Sequence, residues 1–562
     1  MIAILRIRPP TICLCLARHW RKTAFLQMMP SSSPQPPGDE TGGMPDMKHS
    51  LARYALVLGG IITMMGMIAF GLTMLYKPRP RTSLVPVPVV RLSPPVPTWV
   101  ACPPSLSGDP AARCLRLAVP GDWQSPSSPR IDLFATLYPA LEPGREDPLL
   151  VVLGGPGQAG SDHADRLAKS LAASRASRDL IFFDQRGSGL SRPSLACKGI
   201  DPWHYWYGTI TARDALSCLE PIRAAGFRLE NFDTAQSAHD LQALRVALGI
   251  RQWNILATSY GAIAAQALLR LDGNAVRSVI FNSPGLPGTT WLDKDRFEAI
   301  RSAMLLAVSD CKAQPACART FPNLDGIVER LATAWTRTPL TITLSTGRDA
   351  RAIHAVEWHD IANLLAAHVG SGNGPATTPR LLDYLARLDP RAGDAALTRT
   401  VLMPPALWRV FDELSYGLNL AIGCREERPH IDASALRAAA APFHPYAVAD
   451  AVETDFDAAC PALMLEPAPA DFYRPVTSAV PALILTGVYD TYVPSSRADT
   501  LATRFPNAQV FRFRGLGHDV LGASPCGAGM VAAFLVNPVR TLDFPCLDRV
   551  LPPRFVLQPL GG

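Results

Sequence analysis

The chain has 562 residues, of which 48% are hydrophobic and 18% are charged. This composition excludes a chain that is disordered throughout, and the length allows one large α/β domain with an insertion or two domains. The net charge of +6 comes from 54 basic and 48 acidic residues, and no basic run is interleaved with aromatic residues. We therefore predict a mildly basic, solvated surface and no nucleic-acid partner.

An apolar segment near the start of the chain indicates a membrane anchor. Residues 54–76 contain no charge, and this length can cross the ~30 Å hydrocarbon core as a helix. We predict a transmembrane helix there, after a cytoplasmic segment at residues 1–53 in which Met44 or Met47 could be the true start. One alternative is a signal peptide, with secretion after cleavage, although the apolar part of a signal peptide usually has only ~7–15 residues. The other alternative is a buried soluble helix.

The cysteines indicate the compartment of the folded part. Two of the twelve, Cys13 and Cys15, precede the apolar segment and ten follow it. There is no C-x-x-C pair and no zinc-type Cys/His cluster, so no metal is expected. We predict five disulfides and a periplasmic or extracellular location; isolated buried thiols are the alternative.

The rest of the chain has the pattern of a mostly parallel sheet. Residues 77–101 are rich in proline and predict an extended linker. From residue 102 onward, strand-like runs alternate with helical patterns, which is typical of a sheet covered on both faces by helices. The predicted strands are residues 130–137, 149–153, 180–183, 253–257, 276–282, 482–486 and 509–513.

A long, mostly helical interval separates the last two predicted strands from the others. We interpret residues 290–475 as an inserted helical cap, which would lie over the carboxyl ends of the strands, where ligands bind in such sheets. The core domain would then comprise residues 102–289 and 476–562.

The stretch NILATSYGA, residues 254–262, places Ser259 between a strand pattern and a helix pattern. A nucleophile elbow, G-x-S-x-G, requires this turn and small residues two positions before and after the serine. Gly261 meets one requirement and Ala257, with a single methyl group, meets the other. We predict that Ser259 is a catalytic nucleophile; a turn serine among small residues is the alternative.

A glycine-rich loop, GGPGQAGS at residues 154–161, follows the predicted strand 149–153. Such a loop lets backbone N–H groups approach a developing oxyanion. We predict that the N–H of Tyr260 and one N–H from this loop, that of Gly155 or its neighbour Gly154, form an oxyanion hole. A plain turn is the alternative.

The acid and the base of a triad should follow the nucleophile in the order Ser, Asp, His. Asp490 comes just after strand 482–486, and His518 lies in the loop after the last strand. His518 would take the proton of Ser259, and Asp490 would orient the imidazole. Five histidines of the inserted interval are predicted to be surface or packing residues: His354, His359, His368, His430 and His444.

Six motifs together carry a family resemblance: LGGPGQAGS, FFDQRGSGLS, TAQSAHDLQALRVALGI, ATSYGA, LTGVYDTYVP and GLGH. They resemble the exported α/β-hydrolases related to proline iminopeptidase and tripeptidyl aminopeptidase, over residues 102–546. The resemblance implies an α/β-hydrolase fold with a helical cap, no cofactor, and a triad of Ser259, Asp490 and His518. Two residues depart from the family pattern, since Leu153 replaces the histidine that usually heads the glycine loop and Ala257 replaces the first elbow glycine.

The resemblance, with proximity in sequence, also implies the pairs Cys102–Cys114, Cys197–Cys218, Cys311–Cys317, Cys424–Cys460 and Cys526–Cys546. In the motif AIGCREE it implies that Glu426 or Glu427 holds the free amino terminus of a peptide by charge pairing. A solvated charged stretch beside Arg425 and Arg428 is the alternative.

The predicted function is therefore that of a membrane-anchored serine peptidase that removes residues from the amino end of short peptides through an acyl-enzyme. An esterase or amidase acting on non-peptide acyl compounds is the alternative, because the fold does not fix the substrate. A catalytically silent hydrolase fold that serves as a binding module is the third. The sequence does not indicate an oligomeric state.

Overall fold

The computed structural model describes residues 95–106, 108–142, 146–199, 210–290, 292–345, 351–388, 413–446, 453–547 and 552–560. The predicted cytoplasmic segment, the predicted transmembrane helix 54–76 and most of the predicted linker lie outside these residues. Among the residues that are described, no helix has the length and apolar character needed to cross a membrane.

A nine-stranded sheet occupies the centre of the fold. The strands in chain order are β1 (Thr98–Val100), β2 (Arg113–Asp122), β3 (Ser125–Tyr138), β4 (Leu149–Val152), β5 (Leu180–Asp184), β6 (Trp253–Thr258), β7 (Val276–Asn282), β8 (Leu340–Ser345), β9 (Arg351–Val356), β10 (Ala482–Gly487) and β11 (Ala508–Phe513). The order in the sheet is β1-β2-β3-β5-β4-β6-β7-β10-β11, and β8 pairs only with β9. In this spatial order, neighbouring strands from β1 through β3 to β5 are antiparallel. Neighbouring strands from β5 through β4 to β11 are parallel. The predicted mostly parallel sheet is confirmed.

All seven predicted strands are present, and the structure adds two at one edge of the sheet, β1 and β2. Strand β1 lies within the predicted linker 77–101. A proline-rich segment can supply a short strand at the edge of a sheet. An edge strand pairs on one side only, so a residue without an N–H donor is tolerated there. Strand β2 was not predicted because Pro120 and Gly121 interrupt its apolar pattern.

Helices cover both faces of the sheet. They are α1 (Gly160–Ser170), α2 (Ala172–Arg175), α3 (Ala212–Ala224), α4 (Thr234–Ala247), α5 (Gly261–Asp272), α6 (Lys294–Ala313), α7 (Pro315–Thr320), α8 (Ile327–Arg337), α9 (Trp358–Gly370), α10 (Gly374–Arg387), α11 (Tyr416–Ile422), α12 (Ala433–Ala440), α13 (Glu453–Leu463), α14 (Ser496–Ala502), α15 (Val520–Ala523) and α16 (Pro525–Val536). Single 3-10 turns occur at Pro104–Leu106, Leu229–Asn231, Gly273–Ala275, Arg428–His430 and Ala441–Phe443.

The central strands are apolar throughout because both of their faces are buried. On β6, Ile255 packs in one apolar cluster with Leu241 of α4 and Leu268 of α5. The next residue, Leu256, packs in a second cluster with Phe534 of α16. Successive side chains of a strand point to opposite faces, so each face needs its own apolar residues.

The inserted interval 290–475 has two parts that differ in packing. Helices α6 to α10 share a separate apolar cluster, which includes Met304, Leu331 and Leu382. Helix α11, in contrast, packs into the same cluster as the sheet through Leu418 and Leu420. The interval is also not wholly helical, since β8 and β9 form an antiparallel hairpin.

Five disulfides link the described part of the chain, and their pairs are those implied by the resemblance. They are Cys102–Cys114, Cys197–Cys218, Cys311–Cys317, Cys424–Cys460 and Cys526–Cys546. Several disulfides in one chain are typical of proteins in extracellular or periplasmic space.

Candidate active site

Ser259 occupies the turn between β6 and α5 with φ of 57°. This left-handed conformation is uncommon for residues other than glycine and occurs often at functional sites. The turn is held from both sides: the N–H of Ser259 donates to the carbonyl of Asn282 at 3.0 Å, and its carbonyl accepts from the N–H groups of Ala262 and Gly285, each at 3.0 Å. The side chain is half-buried.

The small residues on either side of Ser259 fit the crowding at this turn. A Cβ at Gly261 would lie 2.4 Å from the carbonyl oxygen of Val152 and 2.7 Å from that of Leu153, so a side chain there would collide with backbone. Ala257 is fully buried between paired residues of β4 and β7. The single methyl group of alanine is accommodated at the position where the elbow motif has glycine.

The glycine-rich loop reaches the candidate nucleophile through Gly154. A Cβ at Gly154 would lie 2.8 Å from the Cβ of Ser259. The next glycine, Gly155, has φ of 103°, a conformation that side chains rarely adopt. In the described part of the chain, neither the N–H of Gly155 nor that of Tyr260 donates to another residue. The N–H groups of Tyr260 and Gly155, two of the three candidate donors that include Gly154, therefore have no acceptor among the described residues.

The second part of the insertion fixes this loop from outside. The N–H of Ser415 donates to the carbonyl of Gly157 at 2.9 Å, and Gln158 and Leu414 form an isolated bridge. The amide of Asn419 on α11 donates to the carbonyl of Pro156 at 3.3 Å. The loop is therefore held by a segment that lies more than 250 residues later in the chain.

Asp490 and His518 form a hydrogen-bonded pair. Nδ1 of His518 lies 2.8 Å from Oδ2 of Asp490, and Oδ1 of Asp490 accepts from the N–H groups of Tyr492 at 3.0 Å and Val493 at 2.8 Å. The carboxylate is buried, with 1% exposure. Burial alone would lower the pKa of His518, but the charge and hydrogen bond of Asp490 outweigh it, so the pKa is raised.

The elbow and the histidine loop meet at Asn282, the last residue of β7. Its carbonyl accepts from Ser259, as above, and its side-chain amide donates to Oδ1 of Asp519 at 2.9 Å and to Oγ1 of Thr258 at 3.1 Å. No hydrogen bond joins the side chains of Ser259 and His518, both of which are described. Bonds between nucleophile and base are commonly long when no substrate is bound.

The C-terminal turn of α9, in the insertion, contacts the acid and base loops. The N–H of His518 donates to the carbonyl of Gly370 at 2.6 Å. Oγ1 of Thr491 donates to the carbonyl of Ala366 at 2.7 Å, and the hydroxyl of Tyr492 donates to that of Ala367 at 3.2 Å. No local sequence pattern indicates these contacts, because they join segments more than 100 residues apart.

Glu426 lies in a π-helical turn, Gly423–Glu427, directly after α11. Its exposure is 6%, and both of its carboxylate oxygens accept from Thr234, one from the N–H and one from Oγ1, each at 2.7 Å. Burial and the nearby Asp233 carboxylate raise the pKa of Glu426 to about 8. Arg425 pairs with Asp233 at 3.1 Å, whereas Glu427 is half-buried.

The other histidines of the insertion have varied surroundings. Nε2 of His368 lies 2.8 Å from Oγ1 of Thr377, and burial, together with the charge of Arg380, lowers the pKa of His368 to about 4. His430 packs edge-on against Tyr473. Among the described residues, no group of three or more His, Cys, Asp or Glu side chains is arranged to hold a metal.

The family models agree with this architecture. One, described as an alpha/beta hydrolase fold, matches residues 147–306 and so includes Ser259 and the glycine-rich loop. The chain has the α/β-hydrolase fold. A second model, described as a TAP-like protein, matches residues 445–544 of the chain and includes Asp490 and His518.

Curated relatives of the chain carry both peptidase and esterase names. Serine protease Hip1 of Mycobacterium bovis is 26% identical over 287 residues, which are 48% of this chain and 52% of the relative. Carboxylesterase B of Mycobacterium tuberculosis is 28% identical over 228 residues, 37% of this chain and 43% of the relative. The chain thus spans about half or less of the length of these relatives. Among solved structures, a proline iminopeptidase of Mycobacterium smegmatis is 14% identical with a TM-score of 0.34, covering 75% of this chain and 98% of that one.

Proposed function

We propose that the protein is a serine hydrolase in which Ser259 is the nucleophile, His518 the general base and Asp490 the residue that orients the histidine. The observation that carries this proposal is the 2.8 Å hydrogen bond between buried Asp490 and Nδ1 of His518, in a loop tied through Asn282 to the elbow of Ser259. Nδ1 is thereby occupied, so Nε2 is the ring nitrogen left to take a proton.

The reaction would proceed through an acyl-enzyme. Oγ of Ser259 attacks the substrate carbonyl while Nε2 of His518 takes its proton, and the imidazolium is stabilised by Asp490. The N–H groups of Tyr260 and Gly155 bind the oxyanion. His518 then protonates the leaving amine or alcohol, and a water molecule, deprotonated by the same histidine, releases the acid from Ser259.

We propose short peptides with a free amino terminus as substrates, so that the enzyme is an aminopeptidase. The TAP-like match over residues 445–544 and the relative named as a serine protease support this class. The relative named as a carboxylesterase supports the alternative, hydrolysis of non-peptide esters or amides. The fold alone does not separate the two.

We further propose that the catalytic domain lies outside the cytoplasm and that residues 54–76 anchor it to a membrane, with cleavage and secretion as the alternative. The five disulfides support the compartment. The charge-free length of residues 54–76 supports the anchor.

A fluorophosphonate probe tests the proposed nucleophile. The wild-type protein and the control Ser217→Ala, which changes an exposed serine on α3, should be labelled, and Ser259→Ala should not. Equal labelling of all three proteins would exclude Ser259. Chromogenic peptides with free and with acetylated amino termini, assayed beside simple nitrophenyl esters, then separate aminopeptidase from esterase activity.

A further inference from the structure

A buried chain of hydrogen bonds runs from Tyr260, the residue after the candidate nucleophile, to Glu426. The phenol oxygen of Tyr260 lies 2.6 Å from Oγ1 of Thr234, and Oγ1 of Thr234 donates to Oε2 of Glu426 at 2.7 Å. Nε2 of Gln185 donates to the same phenol oxygen at 3.1 Å. All four residues are buried, so these groups depend on each other for hydrogen bonds.

When Glu426 is ionised, the hydrogen bonds in this chain have a defined direction. A hydroxyl group has one proton to donate, and Thr234 donates its proton to Glu426. Tyr260 must then donate to Thr234, while it accepts from Gln185. The chain therefore runs from Gln185 through Tyr260 and Thr234 and ends at the carboxylate of Glu426, the one group that accepts without donating.

Glu426 is also bound to the first turn of α4. Thr234 is the first residue of this 14-residue helix, and its N–H donates to Oε1 of Glu426 at 2.7 Å. A carboxylate is favourable at a helix N-terminus, where N–H groups are unsatisfied. With both oxygens engaged by Thr234, Glu426 already has its partners inside the protein. The side chain is also buried, with 6% exposure.

Tyr260 is held at both ends. Its backbone lies between Ser259 and Gly261 in the tight elbow, and its phenol is fixed by Thr234 and Gln185. A side chain that is fixed at its tip restricts rotation of the backbone that carries it. The peptide N–H of Tyr260 is one of the two donors proposed for the oxyanion hole, and small displacements of such a donor have large effects on rate.

We propose that Glu426 is a positioning residue: through Thr234 it fixes the phenol of Tyr260 and thereby aims the N–H of Tyr260 at the acyl oxygen of the substrate. This inference rests on the proposed function and assigns to Glu426 a role different from binding the substrate amino group. The same role extends to Thr234, which transmits the contact. Such positioning acts on every acyl substrate, whether or not it has a free amino group.

The test compares three substrates with each variant: a peptide with a free amino terminus, the same peptide acetylated, and a nitrophenyl ester. Glu426→Gln replaces one of the two accepting carboxylate oxygens by an NH2 group. This nitrogen cannot accept a hydrogen bond from Thr234. Tyr260→Phe removes only the phenol oxygen, and Thr234→Val removes the hydroxyl. We expect kcat to fall by about 10-fold or more for all substrates the wild type cleaves, with KM nearly unchanged.

Two comparisons separate positioning from a general loss of structure. Thr234→Ser retains the hydroxyl and should restore most of kcat, and Thr211→Val makes the same change at the exposed N-terminus of α3 and should leave kcat unchanged. The double variant Glu426→Gln/Tyr260→Phe should be no slower than the worse single variant, because both changes break one chain. If Glu426→Gln does not fold, Tyr260→Phe still tests the contact.

Three results would overturn the inference: an effect of Glu426→Gln confined to KM of the free-amine peptide, full kcat in Tyr260→Phe, or additive losses in the double variant. The first would assign Glu426 to the substrate amino group. Failure of the proposed function is recognised separately, because wild-type protein would then neither react with the fluorophosphonate at Ser259 nor cleave any of the three substrates.

Discussion

The backbone N–H of His518 donates to the carbonyl of Gly370, the last residue of α9, at 2.6 Å. The proposed general base is thus bound to the inserted segment as well as to Asp490. The carboxyl end of a helix carries partial negative charge, so α9 ends where the histidine would become a cation during catalysis. The insertion therefore helps to position the proposed general base, and this role is separate from covering the site.

Substituting Gly370 by alanine should disturb the acid loop. The added Cβ would lie 1.8 Å from Oγ1 and 3.0 Å from the N–H nitrogen of Thr491, the residue that follows Asp490. We expect kcat to fall at least about 10-fold, because misplacement of a catalytic group by about 1 Å has effects of this order or larger. Gly372→Ala is the matched control, since its Cβ would have no neighbour closer than 3.4 Å; equal activity of the two variants would contradict the prediction.

Asp490→Asn should lower kcat by about 10⁴-fold, as in other triads, because an amide favours the wrong tautomer of the histidine and does not stabilise its cation. Steady-state kinetics on the best substrate measures this effect. Asp499→Asn, which alters an exposed ion pair with Arg512, should retain normal turnover. A near-normal rate in Asp490→Asn would mean that another residue orients the base.

The raised pKa of His518 has a consequence for the pH dependence of activity. A general base acts in its neutral form, so kcat/KM should rise with pH through the pKa of His518 in the free enzyme. We expect this limb above the ordinary histidine value of about 6.5. Nitrogen-15 NMR of labelled histidine should show the same pKa, and a lower one in Asp490→Asn. A limb below 6.5 would contradict the proposed pairing.

Gly154→Ala should remove activity while leaving the fold intact. The new Cβ would lie 2.8 Å from that of Ser259, so the glycine-rich loop would have to move away from the nucleophile. Loss of one oxyanion donor typically costs about 10²–10³ in kcat, and we expect an effect in this range. Gly529→Ala adds a methyl group at a helical glycine with open space around it and should keep full activity. Thermal unfolding of both variants checks that they are folded.

The disulfide Cys424–Cys460 should contribute to both stability and activity. It closes a separation of 36 residues, for which the chain-entropy treatment gives about 4 kcal/mol of unfolding free energy. Cys424 also lies two residues before Glu426. Replacing both cysteines by serine should therefore lower the urea midpoint and kcat together. The pair Cys102–Cys114, near the amino-terminal edge of the sheet, should affect stability by about 3 kcal/mol with little effect on kcat of the protein that remains folded.

Local patterns in the sequence were sufficient for the central strands and for the candidate triad. Strands buried on both faces must be apolar throughout, and β4, β6 and β10 have this pattern. Ser259 follows β6 directly, and Asp490 and His518 lie in the loops after β10 and β11. The carboxyl ends of parallel strands share one edge of the sheet, so strand prediction was enough to bring the three residues to that edge. Strand β1 was not predicted, because a short edge strand has few buried residues and its hydrogen-bond partner lies elsewhere in the chain.

The roles of the inserted residues depend on contacts that no local pattern contains. The sequence by itself determined the order of strand, elbow, acid and base, because periodicity and turn chemistry are local properties. Only the tertiary structure placed Glu426 against Thr234 and Gly370 against His518, since each contact joins segments more than 140 residues apart in the chain. An acidic residue in a charged motif is expected at the surface. In the structure Glu426 is buried instead, and it accepts two hydrogen bonds from Thr234.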